Sequence, residues 1–222
     1  MPGVLITGCD SGLGRAFAQQ YAQAGWTVWA TYRDPANAIA DERIVHLALD
    51  VTTFAQFDAA RAAVGTQPID LLISNAGIGL DVGQLGDLQF DYVQRMLSVN
   101  LVGALKLVET FVDNVATSQI RRIVLVTSRM GSIESNLSGG HYGYRASKAG
   151  LNAVGRSLAI DLYRRGVAVT MIHPGWVNTQ GGGPQAPLSA DDSVAAMRAT
   201  LARMGNHETG NFVSYDGRTL PW

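Results

Sequence analysis

A three-residue apolar run, Val4-Leu5-Ile6, opens directly into Thr7-Gly8-Cys9-Asp10-Ser11-Gly12-Leu13-Gly14. Residues Arg15–Ala24 then read as a helix closed by Gly25, and a second strand follows at Thr27-Val28-Trp29-Ala30-Thr31. This order of strand, glycine loop, helix and strand restricts the fold more than anything else in the chain. Two parallel strands need such a crossover, and the unit cradles phosphates in α/β sheets. Gly8 permits the tight turn, Gly12 lets the backbone approach a pyrophosphate, and Gly14 allows close packing of the helix. The first amides of that helix then face the anion. Cys9 reads as a small residue filling the turn, and as the only cysteine it excludes an internal disulfide.

Strands and helices keep alternating beyond this unit. Strands are expected at Ile44–Leu49, Ile69–Ile73, Ile123–Val126 and Val167–Ile172, with an edge strand and turn at Gly210–Gly217. Helices are expected at Phe54–Val64, Phe90–Ser118, Ala146–Arg165 and Ala190–Met204. With no linker or repeat in view, residues 1–222 are expected to form a single α/β domain.

A second signal lies at Tyr144-Arg145-Ala146-Ser147-Lys148. Residues four apart share a helix face. A phenol titrates near ~10, and an ammonium one turn away is expected to lower that value toward neutrality. The chain uses fifteen arginines and only two lysines, Lys106 and Lys148. Keeping a lysine here favours a role for the compact ammonium, which can bond sugar hydroxyls beneath a tyrosine. An isolated pair of this kind is otherwise an ordinary surface feature.

Thr-Gly-x-x-x-Gly-x-Gly at residues 7–14, together with Tyr144-x-x-x-Lys148, resembles the short-chain dehydrogenase/reductase family over nearly the whole chain. The resemblance implies a Rossmann-type fold, a doubly wound parallel sheet of about seven strands with helices on both faces. It also implies a nicotinamide cofactor and a catalytic tetrad, here Asn100, Ser128, Tyr144 and Lys148. By the same resemblance the cofactor would be held by Gly8, Ser11, Gly12, Leu13, Gly14, Asp50, Val51, Asn75, Ala76, Gly77, Tyr144, Lys148, Pro174, Gly175, Val177 and Thr179. Asp50-Val51 would meet the adenine ring, and the Pro174-Gly175 turn would fix the nicotinamide face. Asn100 would bend its helix and hold a water connected to Lys148. Ser-Arg-Met-Gly-Ser at 128–132, His-Pro-Gly-Trp-Val at 173–177 and the final Leu-Pro-Trp resemble most a compact subgroup of C-factor-like proteins and sniffer-type carbonyl reductases.

Dinucleotide enzymes often carry an acid after the second strand, where it accepts the ribose 2′-hydroxyl. That position aligns with Tyr32, and Arg33 follows, so a 2′-phosphate and hence NADP(H) is expected over NAD(H). Arg15 is a further candidate cation, and Asp34 is placed to neutralise Arg33 if Arg33 is only a solvated charge. Ser132 is a candidate second hydroxyl. His173 is expected to be a structural histidine with its hydrogen bonds satisfied. Met130, His141, Tyr142 and Trp176 are candidate pocket residues, Glu134–Gly140 a candidate pocket wall, and the short glycine-rich Gln180–Leu188 suggests either an open pocket or a mobile lid. They favour a fairly apolar aldehyde or ketone.

The net charge of −1 and the absence of a basic block argue against nucleic acid or an anionic membrane as partner. No apolar run approaches the ~20 residues of a membrane span, and the N-terminus leaves no room for a signal peptide. A cytoplasmic protein without a metal is expected, paired as a homodimer or homotetramer through its long helices as relatives are. The expected function is NADP(H)-dependent interconversion of a carbonyl and an alcohol. The competing reading is a cofactor-binding signalling or sensor protein with little turnover.

Overall fold

Seven strands form one parallel sheet in the order β3-β2-β1-β4-β5-β6-β7 in a computed structural model describing residues 1–79 and 83–222. They are β1 (Gly3–Ile6), β2 (Thr27–Tyr32), β3 (Ile44–Ala48), β4 (Leu71–Ser74), β5 (Arg122–Val126), β6 (Ala168–His173) and β7 (Asn211–Ser214). The helices are α1 (Gly12–Gln23), α2 (Ala55–Val64), α3 (Phe90–Leu97), α4 (Gly103–Ala116), α5 (Tyr142–Asp161) and α6 (Ala190–Arg203).

Because side chains alternate along a strand, near-continuous apolar strands feed two cores. Leu5, Leu72, Ile123, Leu125 and Met171 pack with Phe57 of α2, Phe111 of α4 and Leu151 of α5. Val4, Ile6, Ile73, Val124 and Ile172 pack with Phe17 and Tyr21 of α1 and Met197 of α6. Helices thus cover both faces, as the resemblance implied. The strand order reverses between β1 and β4, which stay parallel, and a crevice for a ligand belongs at the carboxyl ends of those strands.

Three elements depart from the sequence pattern. The stretch expected to be one helix from Phe90 to Ser118 is α3 and α4 joined by a π-helical segment, Ser98–Val102. Helix α5 begins at Tyr142 rather than Ala146, so Tyr144 lies in its first turn, and a 3-10 turn at Tyr163–Arg165 follows it. Strand β5 begins at Arg122, a charged residue that reads as loop yet is buried. Its guanidinium donates to the carbonyls of Leu201 (2.7 Å) and Met204 (2.6 Å) at the end of α6, and to Asn206 Oδ1 at 3.3 Å. A cation on the last carbonyls of a helix suits both the dipole and the orphaned acceptors.

Arg122→Met should therefore lower the unfolding free energy by about 2–4 kcal/mol, because buried carbonyls lose a charged donor. A fall in the urea midpoint with an unchanged slope would measure it.

Candidate active site

The glycine loop is held from both neighbouring strands. Thr7 Oγ1 accepts the Asn75 and Ala76 amides, each at 3.0 Å, and Asn75 Nδ2 donates to the Thr7 and Gly8 carbonyls at 2.9 and 3.3 Å. On the other side the Cys9 amide donates to the Thr31 carbonyl at 2.8 Å. Asn75 thus braces the loop with its side chain, and Ala76 and Gly77 carry the groove onward.

Gly8 and Gly12 have φ of +73° and +53°, in the left-handed region that favours glycine. Gly14 allows the close packing expected of it, with α1 set against the loop after β1. A Cβ there would strike the Gly8 carbonyl and lie 2.7 Å from Asn75 Nδ2, so the loop itself excludes a side chain. Cys9 is fully buried, its Sγ is bonded to the Ile6 carbonyl, and burial pushes its thiol pKa far up, which makes it inert filling.

The chemistry of this crevice fits an anionic dinucleotide. Ser11, the N-cap of α1, leaves the first amides of the helix without a side-chain cap, and the first turn holds no acid. Leu13 stands in that first turn, and Gly12 faces the Thr179 methyl group, 3.2 Å from where its own Cβ would be. At the adenosine end Asp50 accepts the Thr52 amide and hydroxyl, which, ahead of the nearby Arg33 charge, hold its pKa low. Val51 packs directly on Gly103, where a Cβ would come within 2.9 Å of the Val51 carbonyl. Tyr32 is in the core, so Arg33 is the first exposed residue after β2, and no protein partner engages its guanidinium among the described residues. Asp34 does not neutralise it, because that carboxylate accepts the Ala36 amide as the cap of a turn. Arg15 donates to the Asn37 carbonyl.

Asn100 is buried in the π segment. Its Oδ1 accepts the Ile78 amide at 2.8 Å, while Nδ2 donates to the Ile78 carbonyl at 3.2 Å and Ser147 Oγ at 3.0 Å. The unfavourable mid-helix asparagine therefore has partners, and it pins the β4 loop to α5. Gly77 sits between: a Cβ there would be 3.2 Å from Asn100 Oδ1 and 3.6 Å from Lys148 Nζ.

Ser128 follows β5, and its Oγ accepts the Met130 amide at 3.1 Å and shares a hydrogen bond with Tyr144. Burial raises the Tyr144 pKa above its usual value of 10, with the Ser128 bond opposing. Lys148 is buried, donates to the Val126 carbonyl at 3.0 Å, and has its Nζ 5.9 Å from the centre of the Tyr144 ring. Burial pushes its pKa down to about 8. Contrary to the expectation from their spacing, desolvation and not the ammonium governs the phenol.

The turn after β6 brings Pro174, Gly175 (φ +88°), Val177 and Thr179 to the same strand ends, and Ser193 Oγ holds the Pro174 carbonyl at 2.6 Å. The segment expected as a lid is knit in place. Asn178 and Leu188 close its ends by a 2.8 Å backbone bond, and the Trp176 indole donates to the Gly182 carbonyl at 2.7 Å. Ser132 is not a second catalytic hydroxyl in this arrangement, since it donates to the Trp222 carbonyl and accepts the Ser135 amide. His173 departs from expectation too: its buried Nδ1 has no partner, and burial, then the Arg129 charge, press its pKa down to about 4. Within the wall expected at 134–140, Ser138, Gly139 and Gly140 are bonded to Arg145, and Leu137 is fully exposed. Among the described residues no cluster of His, Cys, Asp or Glu is placed to hold a metal, and no helix is long and apolar enough to cross a membrane.

The sequence matches the family model described as short chain dehydrogenase over residues 3–187. The C-signal protein of Myxococcus xanthus is 40% identical over 159 residues, 72% of this chain and 96% of that protein. Among solved structures, the carbonyl reductase Sniffer of D. melanogaster gives a TM-score of 0.91 at 30% identity, with 100% of both chains covered. An NADPH-bound carbonyl reductase from chicken fatty liver gives 0.90 at 27% identity, over 100% of this chain and 99% of that one.

The depressed lysine has a consequence for stability. Between about 8 and its ordinary value of 10.5, the unfolded chain binds a proton at Lys148 that the folded chain has released. Stability contributed at this site is therefore highest above pH 10.5 and is lost as the pH falls through 8. Relative to Lys148→Met, the parent protein should gain up to roughly 3 kcal/mol across that window. Urea unfolding of both proteins at several pH values measures the difference.

Proposed function

The chain belongs to the short-chain dehydrogenase/reductase family of oxidoreductases, and we propose that it interconverts an aldehyde or ketone and the corresponding alcohol using NADP(H). The observation that carries this reading is the convergence of Ser128, Tyr144 and Lys148 at the carboxyl end of β5, with Asn100 and Gly77 beside them. The bound nicotinamide supplies the hydride.

The chain supplies position, a proton and electrostatics. With its pKa raised by burial, Tyr144 is protonated at neutral pH and donates to the carbonyl oxygen as charge develops there. Ser128 offers that oxygen a second, preorganised donor. Lys148 bonds the nicotinamide ribose and stabilises the phenolate once the proton has left. A water bonded to Lys148 Nζ and the second lone pair of Asn100 Oδ1 is the proposed route by which Tyr144 regains its proton. The glycine loop and α1 would hold the pyrophosphate, Asp50 and Val51 the adenine, and Arg33 the 2′-phosphate. The half-exposed Trp176 and the exposed Ile133 and Leu137 favour an apolar substrate.

A signalling role without turnover is the reading that the likeness to C-signal brings forward. It would need the nucleotide crevice but not a serine, tyrosine and lysine brought to one point.

Tyr144→Phe should reduce turnover over an aldehyde and ketone panel by roughly a hundredfold or more while NADPH binding is nearly unchanged. Retained turnover removes Tyr144 from this role. Arg33→Ala should weaken NADPH binding by roughly tenfold and leave NADH binding nearly unchanged, read by nicotinamide fluorescence.

A further inference from the structure

Asp10 lies in the glycine loop, yet its carboxylate reaches the far side of the adenosine end. Both of its oxygens accept the Arg33 amide at 3.2 Å, and Oδ1 also accepts the Asp34 amide at 3.0 Å and Asn37 Nδ2 at 3.5 Å. Two successive main-chain N–H groups converging on one point form an anion-binding concavity, and here the protein's own carboxylate fills it. The end of β2, where an acid would normally stand, is occupied by Tyr32 turned into the core. The loop after β1, one residue before Ser11, therefore adds a negative charge at this end of the crevice beside those of Asp34 and Asp50, and it is bonded to the backbone of the very residue whose guanidinium has no protein partner among the described residues.

Resting on the nicotinamide reading above, we propose that Asp10 is a specificity-determining residue that opposes Arg33. A 2′-phosphate carries about −1.5 to −2 charges at neutral pH. It is attracted by the Arg33 guanidinium and repelled by the Asp10 carboxylate, whereas a 2′-hydroxyl meets no such repulsion and can donate to a carboxylate. Of the remaining charges at this end, Asp50 adds to the repulsion while accepting the Thr52 amide and hydroxyl. Arg15 is turned onto the Asn37 carbonyl and Asp34 caps its own turn. The consequence is that NADH remains competitive with NADPH, and the ratio of the two affinities is set by Asp10 against Arg33.

The test is a fluorescence titration of the parent, Asp10→Asn and Asp10→Ser with NADPH and with NADH, at low and at high salt. Asparagine keeps the volume and one acceptor oxygen for the Arg33 and Asp34 amides but removes the charge. Both variants should shift the affinity ratio toward NADPH by roughly three- to tenfold at low salt, and the shift should shrink at high salt. A purely structural clamp would instead weaken both nucleotides together with no salt dependence of the ratio, and that result overturns the proposal, as does an unchanged ratio. If Asp10→Asn fails to fold, Asp10→Ser, whose hydroxyl can still accept an amide, decides by the same criterion. A parent protein that binds neither nucleotide sinks the nicotinamide reading itself, and this inference with it.

Discussion

Thr7 and Asn75 hold the point on which the site depends. A hydroxyl with two lone pairs takes the amides of Asn75 and Ala76, and an amide side chain returns two donations to the Thr7 and Gly8 carbonyls. These groups sit where the strand order reverses between β1 and β4, so the loops there diverge and a crevice opens. Without cross-bonds, a glycine-rich loop at that opening would sample many conformations. Bonds to the end of β4 on one side and from the Gly8 and Cys9 amides to Thr31 on the other hold it in one arrangement and leave the first amides of α1 without a side-chain cap. Preorganised donors of this kind need not be ordered at the moment of binding.

The opposite wall is built by absence of side chains. Gly131 lies on the Lys148 backbone, Gly143 on Met96, Gly150 on Leu101 and Gly155 on Met171. These close approaches seat α5 against the end of β5, the π segment and β6. They also bury Lys148, whose bond to the Val126 carbonyl compensates only part of the lost hydration. A buried lysine held below its ordinary pKa destabilises the fold at neutral pH, which a purely structural helix would have no reason to sustain.

The alternation of strands and helices was legible because the strands are buried on both faces and read as unbroken apolar runs. Residues 7–14 and the Tyr144–Lys148 pair were legible because backbone geometry ties those residue types to those spacings. Other features were hidden for identifiable reasons. Arg122 looks like a loop residue until the carbonyls ending α6, nearly eighty positions away, are brought to it. The π segment leaves no mark on an apolar pattern that runs smoothly from Phe90 to Ser118. Ser132 stands beside Ser128 in the sequence as a candidate second hydroxyl, and only the fold of the chain near Trp222 assigns it to a tether. Asp10 meets Arg33 across 23 residues, a distance at which no periodicity speaks.

Burial moves Tyr144 and Lys148 in the same chemical sense, toward their neutral forms, even though it raises one pKa and lowers the other. A neutral phenol is the form that can give a proton, whereas a neutral amine is the form that cannot stabilise the phenolate left behind. The two requirements overlap only below the lysine's shifted pKa, where the phenol is protonated and the ammonium persists. The proposed reduction of a carbonyl therefore suits neutral and mildly acidic pH. The reverse of the proposed reaction begins from the phenolate and needs Lys148 charged just as the forward one does. The same desolvation thus makes the pair responsive to pH through the lysine without favouring either direction, since a catalyst leaves the equilibrium unchanged.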